Sequence, residues 1–367
     1  MATPLYERSV VITTERVPPD ERGAIRGALS AWGEVAEMEW EAMRPDESLE
    51  RLRGVLETAE RVMVHMRVPY EKSIRAVVGL SGKKGHPGVV ADDAWKHVAP
   101  LISSPYEAVR MRLDRRNDHG PFDIVGDVHG CAEELMELLE SMGHAESGWE
   151  AVEPTSYHLH VRAHAEGRRV VLLGDLVDRG PHNLAAMLIA RRLEDLGGLN
   201  VQGNHDSKIA RWLLGRNVRI GDGQKPTIGE FANMDEHSKR QWGEWMLGIE
   251  EHYVLDGGRL IVAHAGMDEA NAGRKTKGAS AFALYGKPSP CGGMDEDGYP
   301  LAEDWAQNYR GEAVVVHGHV VREQPRELNR VVAIDTGCVF GGSLTAYRWP
   351  EREFVSVPAR RTWWRRK

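Results

Sequence analysis

Cysteine is scarce in this chain of 367 residues, which has three cysteines in all. They stand far apart, at Cys131, Cys291 and Cys338, and no pair has Cys-x-x-Cys spacing. An odd, sparse set of this kind is typical of free thiols in a reducing compartment. We therefore expect a cytoplasmic protein.

Long apolar runs and a basic charge balance are also missing. No apolar run is long enough to span a bilayer, and the N-terminus lacks the basic-then-apolar pattern of a signal peptide. The net charge is −8, so bulk charge does not predict nucleic-acid binding. With 41% hydrophobic and 28% charged residues, the composition is that of an ordinary globular protein, long enough for one large and one smaller domain.

The pattern of the first 113 residues differs from that of the rest. Ser9–Thr14 resembles a short strand, and a helical stretch follows from Pro18 through Met43. A second helix begins at Asp46, with apolar residues at steps of three and four as far as Met66. Residues 1–113 are therefore predicted to be a mainly helical accessory segment of unknown role.

From Pro121 onward, short apolar runs alternate with helical stretches, at first regularly. This alternation predicts a layered α/β domain over residues 114–359. The last residues, 360–367, mix aromatic and basic side chains and are expected to form a frayed tail. The predicted strands are Phe122–Val125, Val170–Leu173, Leu199–Gln202, Leu260–Ala263, Ala313–Val316 and Val331–Ile334, with a closing hairpin of Leu344–Arg348 and Glu353–Val357. The first predicted helices are Ala132–Met142 and Leu184–Leu196.

The stretch GDLVDRG, residues 174–180, directly follows one of these strands. Strand ends that face a crevice are where α/β folds place their ligands. Asp175 is a candidate metal ligand, Asp178 a residue that orients a partner, and Arg179 a planar donor that suits phosphate. The alternative for these residues is a solvated ion pair in a turn.

Other predicted strands also end in residues that bind metals. Asp127 and His129 follow the first strand, Asn204 and His205 follow the third, His264 follows the fourth, and His317 and His319 follow the fifth. Packing alone does not explain why so many apolar runs end this way. Mixed carboxylate, imidazole and amide ligands suit manganese, iron, zinc or nickel rather than calcium or copper(I).

The motifs GDVHG, GDLVDRG, GNHD and HAG, in this order, resemble those of the calcineurin-like metallophosphoesterases of the phosphoprotein-phosphatase class. Within that class the chain is most similar to the phosphatase module of bacterial polynucleotide kinase-phosphatase. The resemblance covers residues 114–359, including the stretches at 282–286, 305–311 and 334–342. It does not cover residues 1–113, which contain no P-loop matching that family's kinase.

The resemblance implies a central β-sandwich flanked by helices and a pair of divalent metal ions, Mn²⁺ first, with Ni²⁺ or Fe²⁺/Zn²⁺ as alternatives. Asp175 would bridge the two ions, His205 would be the general acid oriented by Asp178, and Arg179 would bind phosphate. Asp335 matches a family position beside the site. The implied ligands are Asp127, His129 and Asp175 for the first ion, and Asp175, Asn204, His264 and His319 for the second.

The implied activity is the hydrolysis of phosphate esters by metal-activated water. RNA ends or nucleotides with 2′,3′-cyclic, 2′- or 3′-phosphates are the first expected substrates. The alternatives are a serine/threonine protein phosphatase, a dinucleoside tetraphosphate hydrolase, or a silent binding module of the same fold. Tyr285, Trp305 and Tyr309 are either base-stacking platforms or core residues, with Arg310 a candidate phosphate contact. No membrane and no obligate protein partner is expected.

Overall fold

The computed structural model describes residues 113–289, 292–293 and 303–365, and four strands nearer the N-terminus. The chain divides into two compact units, Met1–Arg112 and Leu113–Lys367. In the first unit the described strands form a parallel sheet in the order β2-β3-β1-β4. Their bounds are β1 Ser9–Thr14, β2 Val35–Trp40, β3 Arg61–Met66 and β4 Gly88–Ala91.

The strand predicted at Ser9–Thr14 is confirmed, but two helix predictions in this unit are wrong over part of their length. Strand β2 lies inside the helix predicted from Pro18 through Met43, and β3 lies at the end of the helix predicted from Asp46 to Met66. Short apolar runs fit both periodicities, and the valines in RVMVHM favour a strand because their branched side chains restrict χ1. The other residues of both predicted helices lie outside the described part.

In the second unit, helices cover two packed sheets. The helices are α1 Ala132–Ser141, α2 Asn183–Asp195, α3 Asn204–Leu213, α4 Lys225–Phe231, α5 Glu236–Gly248 and α6 Lys277–Tyr285. The strands are β5 Asp114–Arg115, β6 Phe122–Val125, β7 Arg169–Leu172, β8 Leu199–Asn200, β9 His252–Leu255, β10 Leu260–Ala263, β11 Val314–His317, β12 Arg326–Leu328, β13 Val331–Ala333, β14 Ser343–Trp349 and β15 Glu353–Pro358.

The two sheets pack face to face as a sandwich. One has the order β15-β14-β6-β7-β8 and the other β12-β13-β11-β10-β9-β5. Val171 and Leu173 lie in an apolar cluster shared by both sheets, whereas Val170 and Leu172 lie in the cluster formed with the helices. Because successive strand residues point to opposite faces, the run VVLL is apolar throughout and is buried on both sides. The predicted layered α/β fold is confirmed.

The strand order gathers the loops that carry the candidate residues. Strands β6, β7 and β8 are parallel neighbours, and so are β10, β11 and β13 in the other sheet. Their carboxyl ends therefore open at one edge of each sheet, where α/β folds bind ligands. Each predicted strand is present within one or two residues of its predicted bounds.

The C-terminal residues differ from the predicted frayed tail. The backbone N–H groups of Trp363 and Trp364 both donate to the carbonyl oxygen of Val339, at 3.1 and 2.9 Å. The Trp363 indole N–H donates to Glu134 Oε1 at 2.9 Å. Two indoles carry enough apolar surface to stabilise a docked segment, which fraying would expose. Residues 366 and 367 lie outside the described part.

None of the helices among the described residues has the length and apolar character needed to cross a membrane.

Candidate active site

Asp175 lies at the centre of the candidate site, just after β7. Its Oδ2 lies 3.5 Å from His129 Nε2, and its Oδ1 lies 3.4 Å from His264 Nε2. The backbone N–H of His205 donates to Oδ1 at 3.0 Å. This one carboxylate therefore lies between histidines from both sheets, the position expected of a ligand shared by two metal ions.

Asp127 is held by the loop that follows β11. The backbone N–H of His319 lies 3.1 Å from each carboxylate oxygen of Asp127. A Cβ at position 318 would stand 1.8 Å from Asp127 Oδ1, so any residue other than glycine would displace this carboxylate or the loop. Asp335 adds its charge to this corner and, with burial and Asp175, raises the pKa of Asp127 well above its usual value.

A second group of donors surrounds the other side of Asp175. His264 Nε2 lies 2.9 Å from Asn204 Oδ1 and 3.1 Å from His319 Nδ1. His264 Nδ1 lies 2.9 Å from the carbonyl oxygen of Leu173, so this nitrogen carries the proton and donates it. The lone pair of Nε2 therefore points at the oxygens of Asn204 and Asp175, and acceptor faces acceptor.

This donor set fits divalent metal ions. His129 repeats the arrangement of His264, with Nδ1 2.8 Å from the carbonyl oxygen of Val177 and Nε2 turned towards Asp175. A backbone partner that fixes the tautomer is typical of histidines that bind metals through the other nitrogen. Burial lowers the pKa of His264 to about 4, and burial with the charges of Asp178 and Asp335 raises that of Asp175 to about 8. Neutral imidazoles beside crowded carboxylates are stabilised by a bound cation.

His205 pairs with Asp178 on the same side of the site as His129. His205 Nδ1 lies 2.6 Å from Asp178 Oδ2, which leaves Nε2 facing the cluster. The rings of His129 and His205 meet edge to face at 4.9 Å, and one atom each of His129, Asp175 and His205 lie within 4.8 Å of one another. The position suits a general acid, because the carboxylate holds the imidazole and one ring nitrogen is turned towards the reacting group.

Arg179 brings its guanidinium to the same place. Its Nη1 lies 2.8 Å from His129 Nε2, and its Cζ lies 5.3 Å from the centre of the Phe340 ring. A guanidinium only donates, so it contacts the lone pair that His129 would offer to a metal. The planar fork thus stands at the edge of the cluster, where it suits a phosphate oxygen.

The structure places the remaining predicted residues elsewhere. The His317 ring packs against Trp305 at 5.4 Å, and it is His319 that joins Asp175 and His264. Trp305 and Tyr309 are buried, 6% and 5% exposed, which is the core alternative for these aromatics. Arg310 donates to two carbonyl oxygens of its own turn and lines a cleft of about 470 Å³ with Trp305 and Tyr309.

Sequence reasoning missed two residues that contact Asp178, the partner of His205. Gln224, in the turn before α4, and Thr227, in the first turn of α4, both donate to the carboxylate of Asp178. No motif or periodicity in GDGQKPT marks them, because their role depends on where the segment lies in three dimensions.

A β-sandwich that gathers carboxylates, imidazoles and an arginine at its strand ends, in groups that can hold metal ions, has the arrangement of a metal-dependent phosphoesterase. The family model for calcineurin-like phosphoesterase matches residues 120–323. The chain belongs to this family, and the predictions of family, fold and enzyme class are confirmed.

Three named relatives align with this chain over almost their own whole length. An asymmetrical bis(5′-nucleosyl)-tetraphosphatase PrpE from Anoxybacillus flavithermus is 39% identical over 243 residues, which are 65% of this chain and 94% of that protein. Its namesake from Geobacillus thermodenitrificans is 41% identical over 242 residues, again 65% and 94%. A third, from Bacillus thuringiensis, is 38% identical over 244 residues, with the same two shares.

Proposed function

We propose that this chain hydrolyses dinucleoside tetraphosphates asymmetrically, into a nucleoside monophosphate and a nucleoside triphosphate. The observation that carries the proposal is the 38–41% identity to relatives named for this activity, over 94% of their length. This supports the second alternative from the sequence better than the RNA-end hydrolysis expected first. Hydrolysis of RNA 2′,3′-cyclic phosphates stays a prediction, as does that of phosphoproteins.

In the proposed reaction a water molecule loses one proton to the solvent as its oxygen forms a bond to phosphorus, and the bridging P–O bond opposite it breaks. Arg179 donates to the non-bridging oxygens and stabilises the charge that grows on them. His205 gives its Nε2 proton to the departing phosphate oxygen, while Asp178 holds Nδ1. Asp335 stays a candidate for the outer part of the site, and Arg310 for a substrate contact.

Divalent ions, Mn²⁺ by proposal, would be held by Asp127, His129 and Asp175 on one side and by Asp175, Asn204, His264 and His319 on the other. When bound, such ions supply Lewis acidity towards phosphate oxygens and lower the pKa of a water molecule. The carboxylates would hold these ions, and Gly318 leaves room for the side chain of Asp127.

The experiment is a product analysis with one enzyme preparation and saturating Mn²⁺. Diadenosine tetraphosphate should give ATP and AMP in equal amounts, separated by anion-exchange chromatography, whereas symmetrical cleavage gives ADP alone. Reaction in H₂¹⁸O, read by mass spectrometry, shows which product received the water oxygen.

The same preparation should be compared on a 2′,3′-cyclic nucleotide, an RNA 3′-phosphate and a phosphoserine peptide. We expect the highest kcat/KM for the tetraphosphate. A higher value for the RNA or cyclic substrates would restore the first prediction, and ADP as sole product would overturn the asymmetrical one.

A further inference from the structure

We propose that the segment Gly221–Thr227, which we term the brace, positions the general acid. Gln224 and Thr227 hold the Asp178 carboxylate so that the His205 imidazole faces the leaving oxygen. The inference rests on the roles proposed above for Asp178 and His205, but not on the identity of the substrate.

Thr227 contacts Asp178 in two ways. Its Oγ1 accepts the backbone N–H of Asp178 at 3.0 Å and lies 2.7 Å from Asp178 Oδ1. Because the oxygen accepts from the N–H, its own proton is free to go to the carboxylate. Both side chains are fully buried, so water does not replace this bond when it is lost.

Gln224 holds the other carboxylate oxygen. Its Oε1 accepts from the Gly221 backbone N–H at 2.9 Å and from Lys208 Nζ at 3.1 Å. Both of these partners can only donate, which fixes the orientation of the amide. The NH₂ end therefore donates to Asp178 Oδ2, 3.0 Å away, the same oxygen that lies 2.6 Å from His205 Nδ1.

The brace also holds the backbone of the motif. Asp178 and Arg179 have φ values of 79° and 70°, in the left-handed region that side chains other than glycine rarely adopt. The Arg179 backbone N–H donates to the carbonyl oxygen of Gly223 at 2.8 Å. Two strained residues in sequence keep this conformation only where surrounding contacts over-determine it.

The test uses Thr227→Val, which removes the hydroxyl at nearly constant volume, and Gln224→Leu. Each is assayed with phenyl phosphate, a poor leaving group, and 4-nitrophenyl phosphate, a good one. A badly oriented acid matters most for the poor leaving group, so we expect about a tenfold loss of kcat with phenyl phosphate and less than about threefold with 4-nitrophenyl phosphate.

The control is Thr345→Val, the same change at a buried threonine whose hydroxyl contacts Ser356 and Thr336. It should change neither rate by more than about twofold, whereas Thr227→Ser should restore the wild-type ratio because it keeps the hydroxyl. Equal losses with the two substrates in Thr227→Val would overturn the proposal.

A double-mutant cycle with His205→Ala separates positioning from a general structural role. If the brace acts through His205, adding Thr227→Val to His205→Ala should cost nothing further. An equal loss in both backgrounds would contradict the proposal. If His205→Ala itself leaves both rates unchanged, the proposed acid fails together with its brace, whereas the nucleotide specificity is tested separately.

The proposal also predicts a change that needs no turnover. In protein with ¹⁵N-labelled histidine, the His205 Nδ1 proton should resonate far downfield because its bond to Asp178 is short. Thr227→Val should shift this signal upfield and broaden it, while Thr345→Val leaves it in place. An unchanged signal in Thr227→Val would refute the positioning role.

Discussion

A methyl group at residue 318 should disable the site without unfolding the chain. In Gly318→Ala the new Cβ would lie 1.8 Å from Asp127 Oδ1, so the two atoms must move apart by at least about 1.6 Å to reach ordinary contact distance. The backbone has little freedom to retreat, since the Gly318 N–H donates to the His264 carbonyl oxygen at 2.8 Å and the next N–H contacts Asp127.

A displacement of about 1 Å in a reacting array costs on the order of 10² in rate. We therefore expect Gly318→Ala to lower kcat/KM by about 100-fold or more and to reduce the bound metal, measured by elemental analysis after gel filtration. The free energy of unfolding in urea should fall by only about 1–3 kcal/mol, as for other overpacked sites.

The matched control is Gly278→Ala in α6, where a Cβ meets nothing within 4 Å. Gly278 lies in the first turn of this helix, so the variant should keep full activity and change the free energy of unfolding by less than about 1 kcal/mol. Wild-type activity and metal content in Gly318→Ala would refute the steric reasoning.

Three further outcomes are expected. Chelation should abolish turnover, and added divalent metal, Mn²⁺ best, should restore it; full activity in protein shown to be free of metal would disprove this. His205→Ala should slow poor leaving groups most while keeping its metal, and loss of metal would instead make His205 a ligand. Burial and Lys275 lower the pKa of His252 to about 4, so the unfolded chain alone takes up a proton between pH 6.5 and 4. As the pH falls from 6.5 to 4, the free energy of unfolding should therefore decrease by at most about 3 kcal/mol. His252→Gln should make the free energy of unfolding depend less on pH over this interval, and an unchanged dependence would contradict the assignment.

The strands of the second unit could be predicted because a strand that is buried on both faces is apolar along most of its sequence. Runs such as FDIV and LIVA are continuous and apolar, and polar residues that follow them at once mark the strand ends. The helices α3 to α6 are less visible. Helix α3 begins at Asn204, inside the GNHD motif, whose residues are interpreted as candidate ligands and not as the start of a helix.

In the first unit the same reasoning predicted helices where β2 and β3 lie. Short segments with apolar residues at mixed spacings satisfy a helical and a strand pattern together, and only tertiary pairing decides between them. The four strands pair with one another in parallel across long stretches of sequence, which local periodicity does not register.

For the site, the candidate ligands could be named from motifs, and the structure brings them together. The choice of His319 over His317 depends on the backbone turn at Gly318, which directs one ring to the cluster and leaves the other against Trp305. Gln224 and Thr227 contact Asp178 from 46 and 49 residues away, separations at which local sequence patterns predict no contact.

The docked C-terminal segment limits how far the protein can be shortened. The family match ends at residue 323, yet β14 pairs with β6 along Phe122–Val125 and would be lost from a chain cut there. The bare edge of β6 would then invite association between copies. A cut after Pro358 keeps both sheets but removes the backbone N–H of Arg360 and the indole N–H of Trp363, which donate to Glu134 in the interior. The shortest form that stays folded, monodisperse and active should therefore end no earlier than Trp364.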